Sequence, residues 1–196
     1  MATITPSSVA RKIASDHWPL VQSQNRLARG VYGFSCAGHG GIVAVRDHCD
    51  IAPAVWNIAR DAGQTDLVAY HPNGRRWGKG QWWTTANYER NPLEEWARAT
   101  PGARLFETWS AEEDCDWALM VVAYPELASG GQRAGYFSGT DPRELLAYAR
   151  ENATRWNAET LARLEGVAPC GSCGEPRSEH YEYGDENLHV FEGVDS

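Results

Sequence analysis

The chain has 196 residues, of which 42% are hydrophobic and 11% aromatic, and its formal net charge is −8. This length suits about one ordinary domain, and the composition excludes a disordered chain. Residues 166–196 carry −6 of the charge and residues 1–165 only −2, which disfavours nucleic acid or anionic lipid as a direct ligand. No stretch resembles a signal peptide or a membrane span, and the five Cys indicate metal or core roles in a reducing cytoplasm.

The N-terminal part of the chain predicts a helix followed by a β-hairpin. Thr5 is a candidate cap for a helix that stops before Pro19. Residues 30–36 and 42–45 are short runs rich in apolar side chains, which predicts two strands. The turn between them needs glycine conformations on both sides of His39.

The next part predicts two more helices and a second hairpin. Asp50 is a candidate cap for a helix that ends at Gly63. A strand beginning at Leu67 and a Pro-Asn-Gly turn at residues 72–74 predict the hairpin. Asn91, which a proline follows, is a candidate cap for a short helix.

One stretch combines a helix-start signature with the densest set of reactive side chains. Ser110 and Glu113 have the spacing of a capping box, and the acids at 112–114 fall in the first turn, where the helix dipole favours negative charge. The apolar run at 117–122 follows, and Pro125 ends the segment. We expect a central helix here, and a buried strand over the apolar run is the competing interpretation.

The last helix is predicted after a connection at residues 130–139 that is rich in chain breakers. Asp141 is its candidate cap, Glu144 completes a capping-box spacing, and a break is expected near Asn152. Trp156 belongs to its apolar positions.

Helices and hairpins interleave without regular strand–helix–strand units. This pattern predicts an α+β core domain over residues 1–165, in which a small antiparallel sheet packs with helices. A zinc-binding C-terminal knuckle with an acidic surface is expected over residues 166–196.

The C-terminal stretch carries two cysteines and two histidines in an order typical of zinc sites. Cys170 and Cys173 are spaced so that both thiolates can occupy adjacent corners of a tetrahedron, and Gly174 lets the turn between them close. His180 and His189 complete a Cys2His2 set without an open position, which predicts a structural zinc ion. A short acidic segment with few apolar side chains cannot fold by burying apolar surface alone, and such segments are usually stabilised by a bound metal ion.

This segment resembles the small zinc motif of many phage-encoded proteins, Cys-x-x-Cys-Gly followed by a spaced His and a final His-x-Phe, and Phe191 matches the last position. Two alternatives stay open. One is a flexible acidic tail with an incidental pair of thiols, and the other is a redox-active Cys-x-x-Cys, although no thioredoxin-like context surrounds it.

Two further motifs are Ser35-Cys-Ala-Gly-His-Gly-Gly-Ile and Glu112-Glu-Asp-Cys-Asp-Trp-Ala. Together they resemble a family of uncharacterised phage and prophage proteins with an early His-Gly-Gly-aliphatic turn and a later aromatic-x-Glu-Glu-Asp-Cys-Asp-Trp-Ala segment. The resemblance covers about residues 31–125. It implies kinship and a phage setting, and no mechanism.

His39 and the acids Glu112, Asp114 and Asp116 are candidate catalytic residues. A histidine between glycines is easily approached, and a carboxylate could orient it for acid–base work or share a divalent ion with it. The simpler interpretation, which the sequence favours, is that His39 donates to a carboxylate and locks the hairpin to the helix.

Two other groups of residues are weaker candidates. Cys36, His39, His48 and Cys49 are a candidate second metal site. The stretch 75–83 mixes cations with aromatic rings, as single-strand binding surfaces do, but packing of the cations on the rings is the favoured interpretation.

We therefore expect a small cytoplasmic, phage-encoded zinc protein that serves host takeover or anti-defence by binding a macromolecule, most simply a protein of the host or phage. The alternative is a hydrolase of a nucleotide or other polar substrate that uses His39 and the carboxylates. A third possibility is an acidic mimic of nucleic acid, which the confinement of charge to the tail disfavours.

Overall fold

Six strands of the chain form one antiparallel sheet, and this confirms the predicted α+β class. The computed structural model describes residues 4–18, 20–37, 39–70, 76–77, 92–112, 116–137 and 139–167. The helices in these ranges are α1 (Pro6–His17), α2 (Pro53–Asp61), α3 (Pro92–Ala99), α4 (Trp117–Ala123), α5 (Glu126–Arg133), α6 (Pro142–Trp156) and α7 (Ala158–Val167). The strands are β1 (Ser23–Ala28), β2 (Val31–Ser35), β3 (Gly40–Val45), β4 (Thr65–Tyr70), β5 (Arg76–Trp77) and β6 (Arg104–Glu112).

The strand order is β1-β2-β3-β6-β4-β5, and every neighbouring pair is antiparallel. Both predicted hairpins are present, β2 with β3 and β4 with β5, and β6 lies between them. Strand β1 is absent from the sequence prediction, because its polar start, Ser-Gln-Asn-Arg, has no apolar alternation. The described helices do not combine the length and apolarity that a membrane span requires.

Helix α1 covers one face of the sheet, and its predicted cap is confirmed. The Thr5 hydroxyl accepts from the N–H of Ser8, and the Ser8 hydroxyl accepts from the N–H of Thr5. The helix ends at His17, before Pro19. Its buried side chains pack on apolar residues of the sheet, and this cluster contains Val9, Ala10, Ile13, Ala14, Phe34, Val43, Val45, Val68, Tyr70 and Phe106.

The remaining helices cover the opposite face. Trp56 of α2 and Trp109 of β6 meet edge to face with ring centroids 6.3 Å apart, and both rings are buried. Helices α4, α5, α6 and α7 add their apolar side chains to the same core. Leu93 of α3 joins a smaller cluster with Leu67 and Ala69 of β4.

Helix α4 confirms the helical interpretation of the apolar run, but it begins later than the sequence predicts. Ser110 belongs to β6, where it pairs with Val43, so the predicted capping box is wrong. Pairing with β3 extends β6 through Glu112, and a residue held in that ladder cannot start a helix. The helix begins at Trp117, and Glu113 lies outside the described residues.

The predicted cap of α2 is also wrong. This helix starts after Ala52, which makes no side-chain cap bond, and the Asp50 carboxylate accepts instead from Nη1 of Arg29 at 3.1 Å. Its predicted end is confirmed, since Gly63 follows α2 with φ of +72°. The cap predicted at Asn91 lies outside the described residues, although the helix after it is present.

The Asp141 cap of α6 is confirmed, because its carboxylate accepts from the N–H groups of Arg143 and Glu144. The break in the last helix comes at Asn157 instead of near Asn152. Trp156, predicted as an apolar position, is 63% exposed.

The glycines of the first hairpin matter more for the room that a missing side chain leaves than for positive φ angles. Gly40 is an ordinary residue of β3 without a positive φ. A Cβ on Gly41 would lie 2.2 Å from Cζ2 of Trp18 and 2.4 Å from the carbonyl oxygen of Ala111. Gly38, on the other side of His39, lies outside the described residues.

The prediction of a connection that begins at residue 130 is wrong, because Gly130 and Gly131 both belong to helix α5. A Cβ on Gly130 would lie 1.9 Å from the carbonyl oxygen of Leu27, and one on Gly131 would lie 2.2 Å from Cδ2 of Phe137. Helix α5 therefore packs its bare backbone on the edge strand β1.

We expect Gly130→Ala to lower the free energy of unfolding by roughly 1–3 kcal/mol, because the new methyl group collides with backbone. Gly166→Ala is the matched control, since a Cβ there meets nothing within 4 Å and alanine favours a helix by about 0.5–1 kcal/mol. Urea unfolding of both variants measures the difference. Equal midpoints for Gly130→Ala and the unaltered chain would contradict the contact between α5 and β1.

Candidate functional site

A cleft of about 390 Å³ lies between the β1–β2 side of the sheet and the helices that cover it. This volume falls in the range of pockets that hold ligands, ~300–1,000 Å³. We call it the aromatic cleft, and its lining residues are Ser23, Asn25, Phe34, Ser35, Trp117, Gly135, Tyr136, Phe137 and Tyr148.

The sheet supplies a polar floor to the aromatic cleft. Ser23 pairs across the strands with Ser35, and Asn25 pairs with Gly33, so these side chains share one face of the sheet. The hydroxyl oxygens of the two serines are 2.6 Å apart and form a hydrogen bond. The side chain of Phe34 belongs to the core on the opposite face, so this residue lines the cleft through its backbone.

Four aromatic rings form the walls. Tyr136 and Phe137 meet edge to face with centroids 4.9 Å apart, and Trp117 lies 5.8 Å from Phe137 and 5.9 Å from Tyr148. Trp117 is 7% exposed, whereas Tyr148 is 58% exposed and stands at the mouth of the cleft. The rings therefore form a continuous apolar surface from the core to the solvent.

Tyr136 is anchored to the first hairpin. Its hydroxyl lies 3.0 Å from the carbonyl oxygen of Gly41 and 3.4 Å from that of Phe34, and it donates to them. The ring lies over Gly33, where a Cβ would come within 2.6 Å of Cδ2. The missing side chain at Gly33 therefore leaves room for the Tyr136 ring beside the floor.

Among the residues that the structure describes, those that line the cleft carry no charged side chain. The cleft offers hydroxyls, one amide and aromatic rings, so it can recognise an uncharged group by shape, stacking and hydrogen bonds. The described lining contains none of the His, Asp, Glu or Lys side chains that most often act as general acids and bases.

Of the predicted catalytic residues, His39, Glu112 and Asp116 are described, and none of these three lines the aromatic cleft. His39 is exposed just before β3, and its carbonyl oxygen accepts from the N–H of Cys36 at 2.7 Å. Glu112 ends β6 opposite Gly41, so it lies at the same end of the sheet as His39. Asp116 is half-buried and accepts from Nδ2 of Asn157 at 3.4 Å.

Asp114 lies outside the described residues, as do Cys170, Cys173, His180 and His189. Within the ranges that the structure describes, no cluster of three or more His, Cys, Asp or Glu side chains could hold a metal ion. Of the basic and aromatic stretch 75–83, only the backbone of β5 is described.

The second metal site that was a weaker candidate at Cys36, His39, His48 and Cys49 is not formed by these described residues. The first two residues precede β3 and the other two follow it, and a strand of six residues separates such ends by roughly 17 Å. The thiol of Cys36 donates to the carbonyl oxygen of His39 at 2.9 Å, and the His48 ring packs on Phe106 with centroids 6.2 Å apart.

A buried carboxylate lies on the opposite face, beneath α1. Asp66 is 7% exposed, and its Oδ2 is 3.8 Å from Nε2 of His17. Burial raises the pKa of Asp66, and the hydrogen bond and charge of His17 oppose this change. The hydroxyl of Thr108, the cross-strand neighbour of Asp66, is buried and has no hydrogen-bond partner among the described residues.

The sequence prediction assigns no role to the residues that line the aromatic cleft. Ser35 occurs in the His-Gly-Gly motif, but its partner Ser23 lies in a strand that the pattern does not reveal. The usable signal is Tyr136-Phe137, two adjacent rings in a connection otherwise made of small and polar residues.

Comparison with known proteins adds no assignment, since no family model, curated protein or solved structure matches this chain.

We expect Asp66→Asn to change how stability depends on pH. Folding raises the pKa of the Asp66 carboxyl above its unfolded value of about 3.9. The contribution of this carboxyl to stability is therefore fully present below the unfolded pKa and is lost as the pH rises through the folded pKa. The asparagine variant should therefore gain stability relative to the unaltered chain as the pH rises above about 4. The gain should grow by at most about 1.4 kcal/mol for each pH unit and level off above the folded pKa.

Urea unfolding at several pH values measures this gain, with Asp50→Asn as the control because Asp50 is exposed. Parallel pH profiles for Asp66→Asn and the unaltered chain would contradict the desolvation of Asp66.

Proposed function

We propose that this chain is a phage accessory protein that acts by binding a protein of the host or phage, and that the aromatic cleft is its recognition site. The observation that carries the proposal is a cleft with aromatic walls, a polar floor and no charged side chain among the lining residues that the structure describes. Tyrosine and tryptophan side chains are enriched where proteins bind each other, because they offer a large apolar surface with one polar group.

The phage setting comes from the resemblance of the His-Gly-Gly and Glu-Glu-Asp-Cys-Asp-Trp-Ala motifs, and with it we propose that the protein acts in the cytoplasm of the host cell. Within the described part of the chain, the aromatic cleft is the one feature that supports a role in host takeover or anti-defence. The acidic segment 166–196 adds a negative surface that would favour a basic protein partner.

Zinc belongs to the same proposal. Cys170, Cys173, His180 and His189 would hold the ion in a closed tetrahedral set, where it stabilises the segment and takes no part in chemistry.

A hydrolase is the second candidate, and one observation favours it. Glu112 pairs with Gly41, two residues after His39, so an imidazole and a carboxylate lie at the same end of β3 and β6. Such a pair could activate a water molecule against a nucleotide or another polar substrate. The binding proposal is preferred, because His39 and Glu112 are both exposed and lie outside the lining of the cleft.

We expect Tyr148→Ala to weaken the partner complex about thirtyfold, the effect of losing an interface side chain worth ~2 kcal/mol. Tagged protein would be used to capture its partner, and titration of the two purified proteins would give the affinities. Trp156→Ala is the matched control, because this ring is 63% exposed on the same helix and does not line the cleft.

Equal affinities of the Tyr148→Ala and Trp156→Ala variants would remove the cleft from the interface. Hydrolysis of a nucleotide by the purified chain, lost in His39→Ala and kept in Tyr148→Ala, would replace binding with the second candidate.

For the metal, we expect native mass spectrometry to show one zinc ion per chain, because four ligands make one closed site. Cys173→Ser should lose the ion, whereas Cys49→Ser, which removes a thiol packed against the main core, should keep it. A native chain without zinc, or zinc retained in Cys173→Ser, would contradict this site.

A further inference from the structure

We infer that the aromatic cleft is an anchor site for a tyrosine side chain of the partner protein. This inference rests on the proposed binding function and names the chemical group that enters the cleft. Its basis is the separation of polar and apolar surface within the cleft, together with the unused hydrogen-bonding groups on the floor.

Apart from the tyrosine hydroxyls, the polar side chains of the described lining lie on one side of the cleft. Ser23, Asn25 and Ser35 share the sheet face that forms the floor, and the rings come from α4, α6 and the segment after α5. A tyrosine side chain has the matching arrangement, with an apolar ring and one hydroxyl at its tip. It can therefore pack its ring against the walls while its hydroxyl reaches the floor.

The floor can both donate to and accept from a phenolic hydroxyl. None of the side-chain hydrogen bonds among the described residues involves Asn25, so its amide offers a donor and an acceptor. In the serine pair one hydroxyl donates to the other, and the accepting hydroxyl keeps a proton to donate outward. A phenol is itself a donor and an acceptor, so it can use both groups.

The aromatic walls of the cleft can pack against an aromatic ring of the partner protein. Tyr136 and Phe137 already meet edge to face, with planes at 76°, and aromatic pairs prefer this arrangement or offset stacking. Tyr148 at the mouth is 58% exposed, so an entering ring would cover apolar surface that now faces water.

Other occupants fit less well. A phenylalanine would bury the Asn25 amide, and the one hydroxyl proton that the serine pair does not use, without a partner, which is costly. A nucleobase carries polar atoms around much of its rim, whereas the described lining residues present mainly aromatic ring surface opposite the polar floor. A nucleic acid would also bring phosphates, and the lining residues within the described part of the chain include no cation to receive them.

The experiment compares N-acetyl-tyrosinamide with N-acetyl-phenylalaninamide, two probes that differ by one hydroxyl. Each is titrated into the full-length protein and followed by two-dimensional amide NMR. We expect the tyrosine probe to bind about three- to tenfold more tightly, the usual effect of one hydrogen bond, and to shift the amide signals of β1 and β2.

Asn25→Ala should remove most of this preference by weakening the tyrosine probe. Asn57→Ala, at an exposed position of α2, is the matched control and should leave the preference unchanged. Equal binding of both probes, or a preference that survives in Asn25→Ala, would overturn the inference.

Two further measurements separate this inference from the proposed function. Adenosine or a methyl glucoside that binds more tightly than the tyrosine probe, and depends on Asn25, would overturn the tyrosine assignment while leaving a binding cleft in place. If no probe binds and Tyr148→Ala also leaves the partner complex unaffected, then the tyrosine assignment and the proposed function both fail.

Discussion

The pairing of β6 along both of its edges is the constraint on which the rest of the structure depends. Its residues pair with β3 on one side and with β4 on the other, so one strand joins two hairpins that the chain makes separately. A strand held in this way exposes no backbone edge, and its side chains alternate between the two cores. Trp109 thus enters the core of α2 and α4, whereas Phe106 enters the core under α1.

An ion cluster holds the same strand to its neighbours. The Glu107 carboxylate, on β6, accepts from Arg46 just after β3 and from two nitrogens of Arg60 on α2. The side chain of Glu107 is only 8% exposed, and a buried carboxylate requires such partners. Arg46 also lies over the ring of Trp56, at 5.9 Å from its centroid. This cluster fixes the position of α2 on the sheet.

Local rules predicted the parts of the fold that depend on neighbours in sequence. The Thr5 and Asp141 caps are confirmed because a capping hydrogen bond needs only the next few residues. The capping box at Ser110 fails because long-range pairing with β3 uses Ser110 itself, and tertiary pairing outweighs a local signal of about 1 kcal/mol. The helix that contains Gly130 and Gly131 was missed for a related reason. These glycines are required by close contacts with Leu27 and Phe137, and not by a break in the helix.

The candidate site was harder to predict than the fold, for a physical reason. Sequence motifs reveal groups of residues that lie close together along the chain, as with the cysteine pair near the C-terminus. The aromatic cleft is assembled from β1, β2, α4, the segment after α5 and α6, and each contributes only one to three residues. The serine pair that marks its floor exists only after β1 and β2 are in register.

Small residues decide whether this cleft can exist, and they explain its place in the fold. Gly33 lets the Tyr136 ring lie on the sheet, and Gly130 lets α5 approach β1 so closely that the rings after α5 come to rest beside the floor. A larger residue at either position would push the helix layer away and separate rings from hydroxyls. The cleft is therefore a consequence of close backbone packing at the sheet edge, where β1 pairs with β2 alone among the strands that the structure describes.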